Sequence, residues 1–271
     1  MKSAGYDEDI MKKSLTADRR NKIARILMKE GSIKVGDLSK RFGVSTETIR
    51  KDIIYLDEEG IAEKSFGGAV AKSDLVEQTI DAKEATHSGE KSDLAIKAAS
   101  LVKPRSAVIL DTGSTTKAIA KQLVLREGLT IFTNSLSIAL LMAESDNDVY
   151  MIGGKIRKSS KAAIGGWADQ ALDSIHADIA FLGSDGFYGL AGPSTLSYSE
   201  AEFKKRVAEA ADKVYTAADK SKFQDAGLFA YADWNEITGL ITNEDAPRQM
   251  VDEIRKSTEV ILAEKRGCCI K

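Results

Sequence analysis

Cysteine is nearly absent from this chain. Its 271 residues include two, Cys268 and Cys269, adjacent and at the end of the sequence. Such neighbours cannot staple a core, and no Cys/His spacing of a metal site occurs. The ending Cys-Cys-Ile-Lys lacks the last residue of a prenylation box. Residues 264–271 are therefore expected as a loose tail, and residues 1–16, which show little periodicity, as a disordered start. Proline is scarce, with three in all, so regular elements run on without breaks. Nothing approaches the ~20 apolar residues that span a bilayer, and no signal-peptide pattern opens the sequence. These absences set aside disulfide-stapled secreted folds, zinc modules and membrane spans, and they predict a cytoplasmic protein. His87 and His176 are isolated and receive no role.

What is present suits two ordinary globular domains: 43% hydrophobic and 30% charged residues over a length too great for one typical unit. The net charge of −2 hides an asymmetry. Residues 19–72 hold twelve Lys/Arg against eight Asp/Glu, so the remainder is acidic. A modest basic module on an acidic body fits selective nucleic-acid binding better than a general coat.

The basic segment reads as one unit. Ile23, Ile26 and Leu27 share a helical face between Arg19 and Glu30. Gly31 stops that helix, and Ser32–Val35 suits a short strand. Val35, Leu38 and Phe42 stripe a second helix that Gly43 breaks. Ser45 is a good N-cap for a third, with Ile49, Ile53 and Leu56 facing inward. Ile61–Val70, with Gly67-Gly68, makes a hairpin. The order predicts a winged helix-turn-helix over residues 17–71. An α-helix fits the DNA major groove, which is ~12 Å wide, and the third helix has a polar face free to enter it. Ser45, Thr46, Glu47, Thr48 and Arg50 lie at or near its N-terminal end, where base edges are read. Arg50 can fork onto guanine. Lys51, Arg41 and Lys64 suit phosphates, which position without specifying. The competing reading is a winged helix used for protein contacts.

Val44-Ser45-x-x-Thr48-Ile49-Arg50-Lys51-Asp52-Ile53, then Leu56, Gly60 and Phe66-Gly67-Gly68-Ala69, resembles the signature of the DeoR family of bacterial transcriptional regulators. Two departures show. The family usually has Arg where Lys51 stands and His where Phe66 stands.

Residues 72–91 are polar and read as a linker. From Ser92 strands and helices alternate to residue 263, which predicts an α/β domain with a mostly parallel sheet flanked by helices. The expected strands are Ala107–Leu110, Leu129–Thr133, Val149–Ile152, Ile179–Leu182, Val214–Thr216, Leu228–Tyr231, Ile237–Thr242 and Glu259–Leu262. In such a sheet, ligands bind beyond the carboxyl ends of the strands. Asp111, Asn134, Gly153, Asp185 and Lys220 all follow expected strands. Asp111-Thr112-Gly113-Ser114-Thr115-Thr116 offers backbone N–H groups and hydroxyls to an anion at a helix start. An ordinary tight turn reads the same way. Neither a Walker loop nor a dinucleotide fingerprint is present. Asn134 and Ser135 can cap a helix or meet a ligand. Lys155 sits in Gly-Gly-Lys-Ile-Arg beside a strand, and Glu202 and Lys204 lie on the helix from Ser199.

These motifs, together with Phe181-Leu182-Gly183, Glu200-Ala201-Glu202-x-Lys204-Lys205 and Asp219-Lys220-Ser221-Lys222-Phe223, resemble the DeoR-family effector domain. That domain is itself similar to ribose-5-phosphate isomerase. The resemblance implies a repressor of a carbohydrate-metabolism operon that is not an enzyme. It would bind double-stranded operator DNA as a homo-oligomer, dimer or tetramer. Its control would come from a phosphorylated sugar rather than a cofactor or metal. The effector would meet Asp111, Gly113, Ser114, Thr115, Thr116, Asn134, Ser135, Lys155, Asp185, Glu202, Lys204 and Lys220. The alternative is a sugar-phosphate isomerase fused to a DNA-binding domain, although the isomerase's catalytic loop has no counterpart at Gly189–Thr195.

Overall fold

A computed structural model describes Thr16 and residues 19–24, 26–27, 32–58, 61–65, 67–71 and 78–265. The chain divides into two units, Met1–Glu77 and Gln78–Lys271. Most of the expected loose ends, together with Gly31, Gly60 and Phe66, lie outside the described residues.

In the first unit, residues 19–24 and 26–27 lie on helix α1. It is followed by β1 (Ser32–Lys34), α2 (Val35–Phe42), α3 (Thr46–Glu58), β2 (Ala62–Ser65) and β3 (Gly68–Ala71). The strands form an antiparallel sheet in the order β1-β3-β2. One apolar core joins Ile23 and Leu27 of α1, Val35 and Leu38 of α2, and Ile49, Ile53 and Leu56 of α3 to Ile33, Ala62 and Ala69 of the sheet. Two glycines fix the turns. Gly43 ends α2 at φ 64° and sends its N–H back to Ser39, a left-handed position that costs other residues roughly 1–2 kcal/mol. At Gly68 a Cβ would lie 1.9 Å from the Ile33 carbonyl oxygen, so the β1–β3 approach requires its absence. Asp52, 1% exposed, accepts from Arg19 Nε at 2.6 Å and Arg20 Nε at 3.1 Å. This buried carboxylate clamps α1 to α3.

The second unit begins with α4 (Ile80–Ala85) and α5 (Ser88–Ser100). Of the linker expected over residues 72–91, residues 80–85 and 88–91 are helical, and residues 72–77 lie outside the described residues. Helix α4 shows little apolar periodicity because polar groups hold it, whereas α5 packs Leu94, Ala95, Ala98 and Ala99 into the core beyond the expected boundary. Lys91 is buried, and its ammonium donates to the carbonyls of Lys83 and Thr86. There follow β4 (Ala107–Leu110), α6 (Ser114–Leu123), β5 (Thr130–Thr133), α7 (Leu136–Met142), β6 (Asp148–Met151), the antiparallel pair β7 (Lys155–Arg157) and β8 (Ala162–Ile164), and α8 (Gly166–Leu172). Then come β9 (Ile179–Gly183), β10 (Ser194–Thr195), α9 (Tyr198–Glu209), β11 (Val214–Ala217), β12 (Phe229–Ala230), β13 (Gly239–Asn243), α10 (Arg248–Ile254) and β14 (Glu259–Ala263).

Seven strands make one parallel sheet in the order β14-β13-β11-β9-β4-β5-β6. Both faces of its central strands are buried, which is why those strands read as apolar runs. Val108, Leu110, Ile179 and Phe181 pack under α5, α6 and α7. Ile109, Ala180 and Leu182 point the other way, into the core shared with α8, α9 and α10. The strand expected at Leu228–Tyr231 shortens to β12, which pairs with β10 and not with the main sheet. Beyond β12, Tyr231 turns its ring inward, where its hydroxyl donates to the Gly183 carbonyl at 3.0 Å.

Candidate DNA-reading helix and effector site

Helix α3 starts as its sequence demands. The Ser45 hydroxyl accepts the Thr48 N–H at 3.1 Å and meets the Thr48 hydroxyl at 2.9 Å. Both side chains thus serve the cap first. Ile49, Ile53 and Leu56 anchor one face. Thr46, Glu47, Arg50 and Lys51 lie exposed on the rest of the helix, and Arg41 is exposed on α2. Arg50 and Glu47 form a surface pair at 3.4 Å, which solvent screens and a base edge can replace. Lys64 in β2 pairs with Asp57 of α3 at 3.0 Å.

In the second unit the sheet order creates a switch point. After β4 the chain moves outward to β5 and β6, then returns to place β9 on the other flank of β4 before continuing to β11, β13 and β14. The connections leaving β4 and β9 run in opposite directions, and a crevice opens between them at the carboxyl ends. Asp111 leaves β4 there, and Asp185 follows β9. Helix α6 points its N-terminus to the same end. Its first residue follows Gly113, which has no side chain to cap it, so its first N–H groups lack intrahelical partners. The loop is braced from behind. Asn134 Oδ1 accepts the Thr112 N–H at 3.1 Å while its amide donates to the Ala163 carbonyl at 3.2 Å, and the Thr112 hydroxyl donates to the Ser160 carbonyl at 3.1 Å.

The crevice is lined with paired charges. Lys204 of α9 is 3% exposed and Asp111 1%. Their side chains form a buried ion pair, and the Lys204 ammonium also donates to the Gly183 carbonyl at 3.0 Å. Asp185 accepts from Lys83 of α4 at 2.6 Å, from the Thr195 hydroxyl at 2.9 Å and from the Leu196 N–H at 3.0 Å. Burial alone would raise its carboxyl. The Lys83 ammonium and the other two donors outweigh burial and hold it well below the usual carboxylate range. Glu200 accepts from Arg157 at 3.4 Å and from Thr195 at 3.3 Å. Burial pushes that carboxyl up, against the pull of Arg157 and Lys204. Burial likewise pushes the Tyr231 hydroxyl up, so it stays a neutral donor.

The expected residues therefore separate. Asp111, Gly113, Ser114, Thr115, Thr116, Asp185 and Lys204 come together around the switch point. Asn134 and Ser135 brace and cap: the Ser135 hydroxyl accepts the Ile138 N–H at 3.4 Å at the start of α7. Lys155 is exposed on β7, and its neighbour Arg157 turns inward instead. Glu202 pairs with Lys205 on the outer face of α9 at 3.1 Å, and Glu200, two residues earlier, is the buried carboxylate. Lys220 pairs with Asp245 on the rim. Sequence reasoning missed Lys83 altogether. It stands 102 positions from its partner, and no spacing marks such a contact. Arg157 and Glu200 were visible in their motifs, but only the three-dimensional arrangement distinguishes them from Lys155 and Glu202.

The DeoR C terminal sensor domain matches residues 86–244, and the DeoR-like helix-turn-helix domain matches residues 19–74. The chain belongs to the DeoR family. A protein of Escherichia coli O157:H7, provisionally named an aga operon transcriptional repressor, is 34% identical over 91% of this chain and 94% of its own length. The HTH-type transcriptional regulator GlpR of Haloferax volcanii is 31% identical over 90% of this chain and 96% of its own. A solved ribose 5-phosphate isomerase from Methanocaldococcus jannaschii shares 21% identity over 49% of this chain and 52% of that one, at a TM-score of 0.37.

This DeoR-family chain is thus a DNA-binding transcriptional regulator with a sensor domain. Its family and its full-length relatives regulate transcription and are not enzymes, and the isomerase likeness is weak and partial. Among the described residues no helix is long and apolar enough to cross a membrane.

Proposed function

We propose that this DeoR-family regulator represses a carbohydrate-use operon and is released by a phosphorylated sugar that binds at the β4–β9 switch point. The observation that carries this reading is one juxtaposition. The uncapped start of α6 at Gly113–Thr116 faces the same crevice as the carboxylates Asp111 and Asp185. Backbone N–H groups and the helix dipole favour a phosphate, and carboxylates accept hydrogen bonds from sugar hydroxyls. Ser114 and Thr115 add hydroxyl donors beside the phosphate, while the Thr116 hydroxyl donates to the Gly113 carbonyl at 3.0 Å and braces the turn. Lys204, already committed to Asp111, supplies positive charge nearby. The named relatives, the aga operon repressor and GlpR among them, support the assignment to operon control.

One winged helix touches too few bases to select a site within a genome. The chain therefore acts on its operator as a dimer or tetramer, with Arg50 reading base edges and Lys51, Arg41 and Lys64 holding phosphates. Acting on chromosomal DNA places it in the bacterial cytoplasm, at the nucleoid. The test of the effector is calorimetry against a panel of phosphorylated sugars, each beside its unphosphorylated form. A phosphorylated member binds and its unphosphorylated form does not. Equal binding of the two forms would remove the phosphate from the α6 N-terminus and defeat the assignment.

A further inference from the structure

Helix α4 falls between the two family segments, which end at residue 74 and resume at residue 86. Its three charged side chains all pair with residues of the second unit. Asp81 pairs with Lys161 at 2.7 Å, Lys83 with Asp185 at 2.6 Å, and Glu84 with Lys117 at 2.8 Å. The Ile80 N–H donates to the Ser159 carbonyl at 2.9 Å. Each partner belongs to a segment that builds the crevice: the turn between β7 and β8, the connection after β9, and the first turn of α6. Apolar anchorage is slight, because Ile80 is the one buried residue of this six-residue helix. A helix that short does not hold itself in water, so its ion pairs keep it in place. Its C-terminal end is pinned to α5 through Lys91. Its N-terminal end continues through residues 72–79 to the wing, whose last strand closes at Ala71.

Asp185 has little accepting capacity left. One oxygen takes the Lys83 ammonium, and the other takes the Thr195 hydroxyl and the Leu196 N–H. The oxygen facing Lys83 is the less occupied of the two, so a ligand hydroxyl donating there competes with the Lys83 ammonium for it. The exchange is within reach because the Lys83 side chain is 29% exposed, so water can meet the ammonium as it leaves and a ligand hydroxyl can meet the carboxylate.

We infer that Lys83 is a tethered cation occupying the effector's own hydroxyl site on Asp185, and that a polyhydroxyl ligand taking that carboxylate lets α4 leave the crevice. The inference rests on reading the crevice as the effector site. It gives the effector different contacts in two states of one element, as any shift between states requires. It also places that element next in sequence to the DNA-binding unit.

The test needs no effector. A duplex is selected by the wild-type full chain from a random library, and its dissociation constant is measured for K83M, K83R, D185N and the K83M/D185N double variant. K83M and D185N each shift it about fivefold or more in the same direction, the double variant shifts it no further, and K83R stays within twofold of wild type. Hydrogen exchange at residues 80–85 quickens in K83M and not in K83R. Unchanged exchange in K83M would overturn the inference, as would faster exchange with duplex affinity within twofold of wild type, or strictly additive shifts in the double variant. The effector reading stands or falls separately on the calorimetry panel. Its failure leaves the K83M result in place, because that measurement contains no ligand.

Discussion

Lys204 can be a phosphate ligand, a structural partner of Asp111, or both, and stability measurements separate these roles. Lys204→Met keeps most of the side-chain volume and removes the ammonium. Asp111, 1% exposed, would then keep only the Gly183 N–H at 3.4 Å. Removing one partner of a buried pair costs about 3–5 kcal/mol, because the remaining charge has lost its compensation. Asp111→Asn is milder. The ammonium keeps the Gly183 carbonyl and gains a neutral amide oxygen, so the cost is that of a charge-assisted hydrogen bond, about 1.5–3 kcal/mol. In the double variant neither charge is stranded, and its cost falls short of the sum by about 2 kcal/mol. Both tryptophans, Trp167 and Trp234, lie in the second unit, so urea titration followed by tryptophan fluorescence reports that unit alone. For a unit of this size, Lys204→Met lowers the melting temperature by roughly 6–20 °C. A loss under about 1 kcal/mol, on the scale of a solvent-exposed pair, would refute the buried pair. So would strict additivity in the double variant.

The carboxyl of Asp185 lies below its unfolded value of about 3.9. Its stabilisation is therefore complete well above pH 4 and is lost as pH falls through the folded value; an acid titration of D185N should show a shallower loss of stability below about pH 4 than wild type. R50A should lose discrimination at one or two base positions by about 1–3 kcal/mol, whereas K51A should weaken all duplexes alike and flatten the salt dependence; equal loss of operator and random DNA in R50A would move Arg50 to phosphate. D52N should release α1 from α3 at a cost of about 1.5–3 kcal/mol, seen as faster hydrogen exchange along α3, and unchanged exchange would show the clamp to be idle. Saturating operator should lower effector affinity by the same factor that effector lowers operator affinity, and identical effector titrations with and without DNA would mean that the two units do not communicate.

Much of this fold was legible because its local signals agree. The 3.6-residue spacing of Ile49, Ile53 and Leu56, the cap at Ser45 and the stop at Gly43 each point to the same helix-turn-helix. Strand positions such as Val108–Leu110 were legible because parallel strands buried on both faces leave unbroken apolar runs. What escaped was polar. Helix α4 has one buried apolar residue and is held by partners scattered from Lys117 to Asp185, so a reading based on apolar periodicity took it for a linker. The same blindness named Lys155 and Glu202, which lie at the surface, and not Arg157 and Glu200, which pair inside. Each chosen residue lies two positions from the one that turns inward, and composition alone does not tell them apart.

The charges of the crevice divide its two ends by function. Asp111 and Lys204 are both almost wholly buried, so separating them strands a charge at a cost that a single ligand hydroxyl cannot offset. That pair ties the ends of β4 and β9 to α9 at the switch point. Asp185 and Lys83 are partly open to water, which can solvate each as they part, so their separation costs less than that of the buried pair. A phosphate at α6 and a hydroxyl at Asp185 would thus meet one wall that cannot yield and one that can. The wall that yields is the one next in sequence to the DNA-binding unit. On this argument phosphate supplies affinity while the sugar hydroxyl supplies the signal. Inorganic phosphate should then bind the crevice without changing operator affinity, whereas the complete sugar phosphate changes it. If inorganic phosphate alone shifts operator binding as far as the sugar phosphate does, as read by fluorescence anisotropy of a labelled operator, that division is wrong and the signal starts at α6.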